Sequence, residues 1–302
     1  MKRSLNNFTN TTTQKSTKTK RIKDIAKNEI PDFTGDSAKI YADVNKVLDA
    51  IQESVPKQDR PNIGVKEDVH GFVLGTVDSR AGTNQLSNQT QARPNLVISL
   101  NRFMAWHLEQ TGDKDFEWTT IQLNLNTQCD VHVDANNMGP SKIIGLGDYR
   151  GGDLWVKDLG AVDIKDRFLE FDGRKAHATM PFQVVGMHGN RFSLVYFVDS
   201  RFIRMETSAL IKNSMERDYE YSRLPTLSLP AYEALPNSKK PFMPNSNEAK
   251  ERVEAGKLDF ARCLRSAVGE RPLQRKRVEL VGLQKRPDLN GSHGLAEEWD
   301  KV

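Results

Sequence analysis

Apolar residues recur at three- and four-residue steps in residues 36–55, the spacing that places side chains on one face of an α-helix. Asp36 or Ser37 can cap the first turn of this helix. The apolar run 96–108 predicts a buried segment with a helix from about Asn101. Two more helices are expected, over 206–215 and over 248–268. The second has an apolar side made of Val253, Leu258, Ala261, Leu264 and Val268.

Between residues 116 and 200 the chain consists of short runs rich in β-branched and aromatic residues, bounded by Gly, Asp and Asn. The runs are FEWTTIQLNLN, VHVD, KIIGLGDY, GGDLWVKD, DRFLEFDG, HATMPFQVV and RFSLVYFVDS. Their spacing of about ten residues, with turn signals between them, predicts an antiparallel sandwich or barrel. A further strand is expected over 71–77, within a loop-rich region. Five prolines within 223–246 indicate an extended arm or linker.

Composition excludes several classes of protein. The 302 residues are enough for one full-sized core with tails. The two cysteines, Cys129 and Cys263, form no CxxC motif, which excludes a disulfide-stapled miniprotein, a zinc ribbon and a thioredoxin motif. There is neither a long apolar run nor a signal-peptide core. We therefore expect no membrane association and an intracellular location, with nucleus and cytoplasm both open.

The net charge of +4 is unevenly distributed along the chain. Residues 1–30 carry eight Lys or Arg against two Asp or Glu, residues 236–302 are also basic, and the part between them is acidic. The first 20 residues lack apolar periodicity and are rich in Thr, Asn and Lys, so residues 1–30 are predicted to be a disordered basic tail. Such a tail either attracts nucleic acid or simply keeps the chain soluble.

The candidate chemistry lies in the β-rich region. His132 and Asp134 are two residues apart in VHVD, so on a strand both side chains point to one side. His177 follows where another strand ends, with His188 as its nearby rival for the place of third ligand. Two histidines and one carboxylate on one face form the triad of non-haem Fe(II) oxygenases. Three protein ligands leave three positions open, two for a bidentate 2-oxo acid and one for dioxygen.

Arg191 opens the apolar strand RFSLVYFV, 14 residues after His177. A buried guanidinium needs an anionic partner, because an unpaired buried charge is strongly unfavourable. The distal carboxylate of 2-oxoglutarate would be such a partner, held by the two-pronged guanidinium.

The order His-x-Asp, GDYRGGDLWV, a lone His and Arg-x-Ser resembles the double-stranded β-helix Fe(II)/2-oxoglutarate dioxygenases. Within that superfamily the chain looks most like the TET/JBP branch, which oxidises the methyl group of thymine or 5-methylcytosine. The similar stretches are HVDANNMGPSKIIGLGDYRGGDLWVKDLG and HATMPFQVVGMHGNRFSLVYF, within roughly residues 120–200. The flanking regions show no such resemblance.

The resemblance implies an α+β fold, with a double-stranded β-helix (jelly-roll or cupin-like) core and flanking helices. It implies Fe(II) and 2-oxoglutarate as cofactors and dioxygen as co-reactant. The iron ligands would be His132, Asp134 and His177, with Arg191 anchoring 2-oxoglutarate. The further candidates are Ser193 and Asn124 for the cosubstrate pocket, Gln122 beside Asn124, and Asn136, Asn137 and Tyr149 for substrate contact.

The implied organisation divides the chain into four parts. They are the tail 1–30, a dioxygenase domain 31–222 (β-helix core 116–201, helical support 36–110), a Pro-rich linker 223–247 and a helical, basic extension 248–302. The implied reaction is hydroxylation of a C–H bond, with the methyl group of a nucleobase in DNA as substrate and DNA or another nucleic acid as partner. Two alternatives stay open: the same chemistry on a protein side chain or small molecule, and a non-catalytic jelly-roll binding module.

Overall fold

The computed structural model describes residues 22–58, 69–79, 82–187, 189–242, 246–270, 277–279 and 293–295. The helices are α1 (Ser37–Ile51), α2 (Asn88–Ala92), α3 (Pro94–Thr111), α4 (Arg201–Arg204), α5 (Ala209–Tyr219), α6 (Leu229–Glu233) and α7 (Asn247–Glu270). The strands are β1 (His70–Asp78), β2 (Asn84–Leu86), β3 (Thr120–Leu125), β4 (Asn137–Gly147), β5 (Tyr149–Gly151), β6 (Leu154–Val156), β7 (Gly160–Val162), β8 (Leu169–Phe171), β9 (His177–Thr179), β10 (Phe182–Val184), β11 (Arg191–Asp199), β12 (Arg277–Glu279) and β13 (His293–Leu295).

The largest sheet has the antiparallel order β2-β1-β3-β11-β4-β8. Successive residues of a strand face opposite sides of the sheet. On β3 and β11, Leu123 pairs with Leu194, and both belong to the main hydrophobic core. Their neighbours Asn124 and Ser193, which also pair, face the other side. This sheet therefore has one apolar face and one face that carries polar groups.

Smaller antiparallel sheets, β7-β6-β9 and β10-β5, accompany the main sheet. The helices α1 and α3 supply much of the apolar cluster on the core side of the main sheet. The fold is thus mixed, with antiparallel sheets and flanking helices, as the β-rich runs between 116 and 200 predict.

Helix α3 begins at Pro94, earlier than the start expected near Asn101. The Asp24 carboxylate accepts hydrogen bonds from the amides of Asn95 and Leu96, at 3.0 Å each. Because the first amides of a helix have no partner within it, this distant carboxylate stabilises the extra turns. Within residues 22–30 of the expected tail, Ile25 is buried and Ile30 packs against the same core, whereas 1–21 lie outside the described residues.

The Pro-rich segment contains α6, and Tyr232 of this helix is buried against the main core. The helix expected over 206–215 is α5, capped by the Ser208 hydroxyl. The strand expected over 71–77 is β1.

The boundaries of the domains stay predictions. No helix in the described parts of the chain is both long and apolar enough to cross a bilayer.

The long helix α7 confirms the expected helix over 248–268, but its inward side differs from the expected one. Val253 and Leu264 pack against buried residues, whereas Leu258 is 67% exposed, so the assignment of Leu258 to this side was wrong. An α-helix turns by about 100° per residue, so Leu258 lies on nearly the opposite side of α7 from Val253. Phe260 lies on the same side as Val253 and packs against the buried residues instead.

His107 of α3 gives the fold an expected pH dependence. Its ring stacks on Phe168, with the centroids 4.0 Å apart, and burial together with the charge of Lys142 lowers the pKa of His107 to about 4. The unfolded chain, with a histidine pKa of about 6.5, binds more protons between these values. The free energy of unfolding should therefore fall as the pH is lowered from about 6.5 to 4.

Urea denaturation at about pH 7 and about pH 4.5 checks this expectation. The wild-type protein should lose more stability between the two pH values than His107→Gln, which does not titrate. Equal losses in the two proteins would contradict the assignment of this pH dependence to His107.

Candidate functional site

His132 and His177 are brought together by a pair of backbone hydrogen bonds. The amide of each residue donates to the carbonyl of the other at 3.0 Å, forming an isolated antiparallel bridge. Residues directly opposite each other in an antiparallel pair project to the same side. Their ring centroids accordingly lie 4.2 Å apart. Asp134 continues the pairing, because its amide donates to the Gly173 carbonyl at 2.8 Å.

The three side chains are close enough to share one metal ion. Asp134 Oδ1 lies 3.9 Å from His132 Nε2, and Asp134 Oδ2 lies 3.6 Å from His177 Nε2. An ion such as Zn²⁺ lies about 2.1 Å from each nitrogen or oxygen ligand, so two of its ligands lie within about 4.2 Å of each other. Among the described residues, this is the one group of His, Cys, Asp or Glu side chains with the spacing of a metal site.

Backbone carbonyls orient both imidazoles for metal binding. His132 Nδ1 lies 2.7 Å from the Asp130 carbonyl, and His177 Nδ1 lies 2.8 Å from the Lys175 carbonyl. A carbonyl only accepts, so in each neutral ring the proton is on Nδ1 and the lone pair on Nε2. Both lone pairs are on the ring side nearer Asp134, which is itself an acceptor. This donor set fits a divalent cation, and two imidazoles with one carboxylate fit Fe(II).

Two neighbours hold the ligands in place. Asn137 Nδ2 donates to Asp134 Oδ2 at 3.4 Å and to Ser141 Oγ at 3.0 Å, and Asn137 is buried. The ring of Phe171 meets His177 edge-on, with the centroids 5.1 Å apart. Asn137 thus contacts the carboxylate. Asn136, named with Asn137 in the sequence as a substrate contact, is not among the residues that line the adjacent cavity.

The cluster opens into a cavity of about 80 Å³ between the polar face of the main sheet and the small sheet of β6 and β9. Gln122 Nε2 donates to Asn124 Oδ1 at 3.0 Å, and Asn124 Nδ2 donates to Ser193 Oγ at 3.1 Å. The cavity is lined by the three candidate ligands and by Gln122, Asn124, Cys129, Asn137, Ile143, Leu154, Phe171, Thr179, Ser193, Val195 and Phe197. The polar groups expected from the sequence therefore face the same cavity as the ligands.

Arg191 is two residues before Ser193 on β11, so both side chains are on the same face of the strand, but Arg191 is not among the residues that line the cavity. Its guanidinium lies over the ring of Tyr149 at 5.2 Å and over that of Phe182 at 5.0 Å. Nη2 donates to the Gly152 carbonyl at 2.8 Å, and Nη1 has a longer contact with the Thr127 carbonyl at 3.5 Å.

This guanidinium is almost completely buried, at 2% exposure, and burial lowers the pKa of Arg191. Within the described residues it forms no ion pair, and its Nε has no hydrogen-bond partner. A Cβ at Gly152 would lie 2.6 Å from this Nε, so only glycine leaves the space. Arg191 is thus a buried cation without an ion pair among the described residues, on whose charge the half-buried Asp153 acts from a longer distance.

The hydroxyl of Tyr149 is a second buried polar group without a hydrogen-bond partner in the described structure. Burial raises the pKa of Tyr149 to about 12, so the phenol stays protonated and able to donate at neutral pH. Its ring is one of the two beneath Arg191. Two hydrogen-bond donors, Arg191 Nε and Tyr149 Oη, thus lack acceptors in one part of the fold.

Other lining residues were not found from the sequence. Thr179 is two residues after His177 on β9, so the same alternation that relates His132 to Asp134 could have identified it. Cys129 and Leu154 carry no such signal, because loops and a different strand bring them to the cavity. His188, the rival of His177, lies outside the described residues.

Comparisons with known proteins show no family and no activity for this chain, so the chemistry of the site is argued from its residues. No protein-family model and no curated protein matches the sequence. Among solved structures, the chain is similar to a prolyl hydroxylase from Trichoplax adhaerens in complex with a hypoxia inducible factor oxygen degradation domain peptide fragment. The identity is 16%, the match covers 57% of this chain and 83% of that chain, and the TM-score is 0.33. A likeness of this size assigns no activity to this chain.

Proposed function

We propose that this protein is an Fe(II)- and 2-oxoglutarate-dependent dioxygenase that hydroxylates a C–H bond. The observation that carries the proposal is the cluster of His132, Asp134 and His177, whose Nε2 lone pairs and carboxylate converge on one point beside a cavity. The buried Arg191, which forms no ion pair among the described residues and whose Nε has no hydrogen-bond partner, also supports the proposal. Two neutral imidazoles and one carboxylate leave a divalent ion with a charge of +1, which favours an anionic cosubstrate.

In this proposal, the bound Fe(II) supplies the activation of dioxygen. The chain holds the ion through His132, Asp134 and His177. Arg191 and Ser193 bind the distal carboxylate of 2-oxoglutarate, and the row of Asn124 and its neighbours lines the pocket. The apolar side chains of the cavity, such as Phe171, keep water away from the reacting atoms.

We propose that the core is a double-stranded β-helix. The proposed activity does not depend on this assignment of the fold. Such a core has two facing antiparallel sheets with ligands between them. Here β3 and β11 of the main sheet and β6 and β9 of a smaller sheet contribute to one cavity.

For the substrate, we propose the methyl group of a nucleobase in DNA, on the strength of the sequence resemblance to the TET/JBP branch. The basic ends of the chain favour phosphate contacts. A base in a duplex would have to be flipped out of the stack to reach the metal.

The experiment that tests the proposal measures succinate released from 2-oxoglutarate, with Fe(II), ascorbate and air, and Asp134→Ala as the control. One arm contains methylated DNA and another contains proline-rich peptides. Release that depends on Asp134 supports the dioxygenase, and stimulation by DNA supports the nucleobase substrate. Stimulation by peptide alone would replace the nucleobase with a protein side chain. Absence of release and of metal binding would leave a non-catalytic binding module.

Tyr149→Phe tests the anchor region. Because the hydroxyl is buried without an acceptor, we propose that it donates to the 2-oxoglutarate carboxylate. Its loss should weaken 2-oxoglutarate binding by about 0.5–1.5 kcal/mol, or about 2- to 12-fold, without lowering the stability of the metal-free protein. The measurements are a 2-oxoglutarate titration and urea denaturation. Unchanged binding together with reduced stability would contradict this role.

A further inference from the structure

We propose that helix α7, through Gly256, fixes the spacing of the segments that carry His132 and His177, and thereby sets the metal affinity of the site. The inference rests on the metal centre proposed above. Gly256 is a positioning residue in this account, because it contacts the neighbours of the ligands and not the ligands themselves.

The contact at Gly256 is unusually close. A Cβ at this position would lie 2.4 Å from the Cβ of Ala176 and 3.0 Å from Cγ1 of Val131. Val131 directly precedes His132, and Ala176 directly precedes His177. Glycine is a poorer helix former than alanine, so its position inside the 24-residue helix α7 needs a packing reason. The close approach to both ligand-bearing segments provides that reason.

The rest of the α7 interface supports the same segments. Val253, Phe260 and Leu264 pack on a small apolar cluster, which consists of Val131, Trp155, Ala176, Ala178 and Met180. The rings of Trp155 and Phe260 lie with their centroids 5.3 Å apart. Three members of the cluster are direct chain neighbours of a proposed metal ligand. The helix therefore packs behind the ligands.

A polar contact extends this support to the orientation of a ligand. Arg252 Nη1 donates to the Arg174 carbonyl at 3.1 Å. The next carbonyl along the chain, that of Lys175, is the one that holds His177 Nδ1. The helix thus contacts the turn that sets the tautomer and the orientation of this imidazole.

The segment that carries His132 belongs to none of the named strands. It is joined to the His177 segment by the His132–His177 bridge and by two flanking bonds, from the Thr179 amide to the Cys129 carbonyl and from the Asp134 amide to the Gly173 carbonyl. Because α7 packs on both segments, a change in its position should alter the distance between the two imidazoles.

The test is a double-mutant cycle read out as Co²⁺ affinity and Co²⁺ absorption spectrum. Gly256→Ala adds the clashing Cβ, Ala176→Gly removes the Cβ that it would meet, and the double variant combines both. Leu258→Ala, on the exposed side of the same helix, is the matched control. Gly256→Ala should weaken Co²⁺ binding by about 10- to 100-fold and change the spectrum, as loss of support around a metal ligand does elsewhere. The double variant should recover much of the lost affinity, because the closer contact is relieved while the one with Val131 Cγ1, at 3.0 Å, remains.

Thermal unfolding of each metal-free variant separates positioning from general stability. Affinity is measured well below each unfolding midpoint, where a purely structural role would leave it unchanged. If Gly256→Ala does not fold, Phe260→Leu, which weakens the contact with Trp155, is used in its place. It should lower Co²⁺ affinity relative to Leu258→Ala.

Wild-type affinity in the Gly256 and Phe260 variants would overturn the inference, and so would a loss in Gly256→Ala that the added Ala176→Gly does not reduce. The proposed metal centre survives either result if wild-type binding is lost in Asp134→Ala. A wild-type protein that binds no Co²⁺, or whose binding persists in Asp134→Ala, would overturn the metal centre and this inference together.

Discussion

Asp134→Ala is expected to abolish turnover of 2-oxoglutarate and to weaken metal binding by more than about 100-fold, with the fold retained. Asp134 supplies the one carboxylate of the proposed site, and both Nε2 lone pairs lie near it, at 3.6 and 3.9 Å. Without the carboxylate, two neutral imidazoles remain, with no negative charge to hold the ion. Asn137 loses one acceptor but keeps its bond to Ser141, so the loss of stability should be small.

The measurements are Fe(II) binding under anaerobic conditions, succinate release and circular dichroism. Asp130→Ala is the matched control. It removes an exposed carboxylate four residues away and leaves the backbone carbonyl that accepts from His132 in place. Activity in Asp134→Ala, or equal losses in the two variants, would contradict the assignment of the ligand.

Arg191→Met is expected to weaken 2-oxoglutarate binding strongly without lowering the stability of the metal-free protein. Removing one partner of a buried charge pair costs about 2 to 5 kcal/mol, which corresponds to a loss of about 30-fold or more. In the metal-free protein, however, Arg191 is a buried cation that forms no ion pair among the described residues, and Asp153 acts on its charge only from a longer distance. Replacing it with an apolar side chain of similar length removes a buried charge without breaking an ion pair, so stability should be unchanged or higher.

Arg93 offers a matched control, because it is also fully buried but well supplied with acceptors. Its guanidinium donates to Gln89 Oε1 at 2.9 Å and to the carbonyl and hydroxyl of Ser54, and it also contacts the Lys23 carbonyl. Arg93→Met should lower stability by about 1–3 kcal/mol and leave 2-oxoglutarate binding unchanged. The reverse pattern, with Arg191→Met unfolding the protein and Arg93→Met weakening 2-oxoglutarate binding, would contradict the proposed anchor.

Part of the candidate site follows from local sequence. The alternation of a strand is enough to place His132 and Asp134 on one side, and Asn124 and Gln122 on one face. The order of His177 and Arg191 along the chain adds the other two candidates. These inferences need only the period of a strand and the donor chemistry of the side chains, both of which the sequence contains.

Other features depend on contacts between distant parts of the chain. The early start of α3 depends on Asp24, some 70 residues away. The inward side of α7 is set by the surface around Ala176, which no periodicity within α7 describes. In both cases the partner is fixed by the tertiary fold, so the local pattern of the sequence could not supply it.

The most direct test of the central claim is a titration of the wild-type protein with 2-oxoglutarate, without oxygen, in the presence and absence of Fe(II). We expect one binding site per chain that needs the metal and is lost in Asp134→Ala and in Arg191→Met. These results would show that the His132, Asp134 and His177 cluster and the buried arginine serve one ligand. Binding that is independent of the metal, or no binding with Fe(II) present, would contradict the proposed dioxygenase.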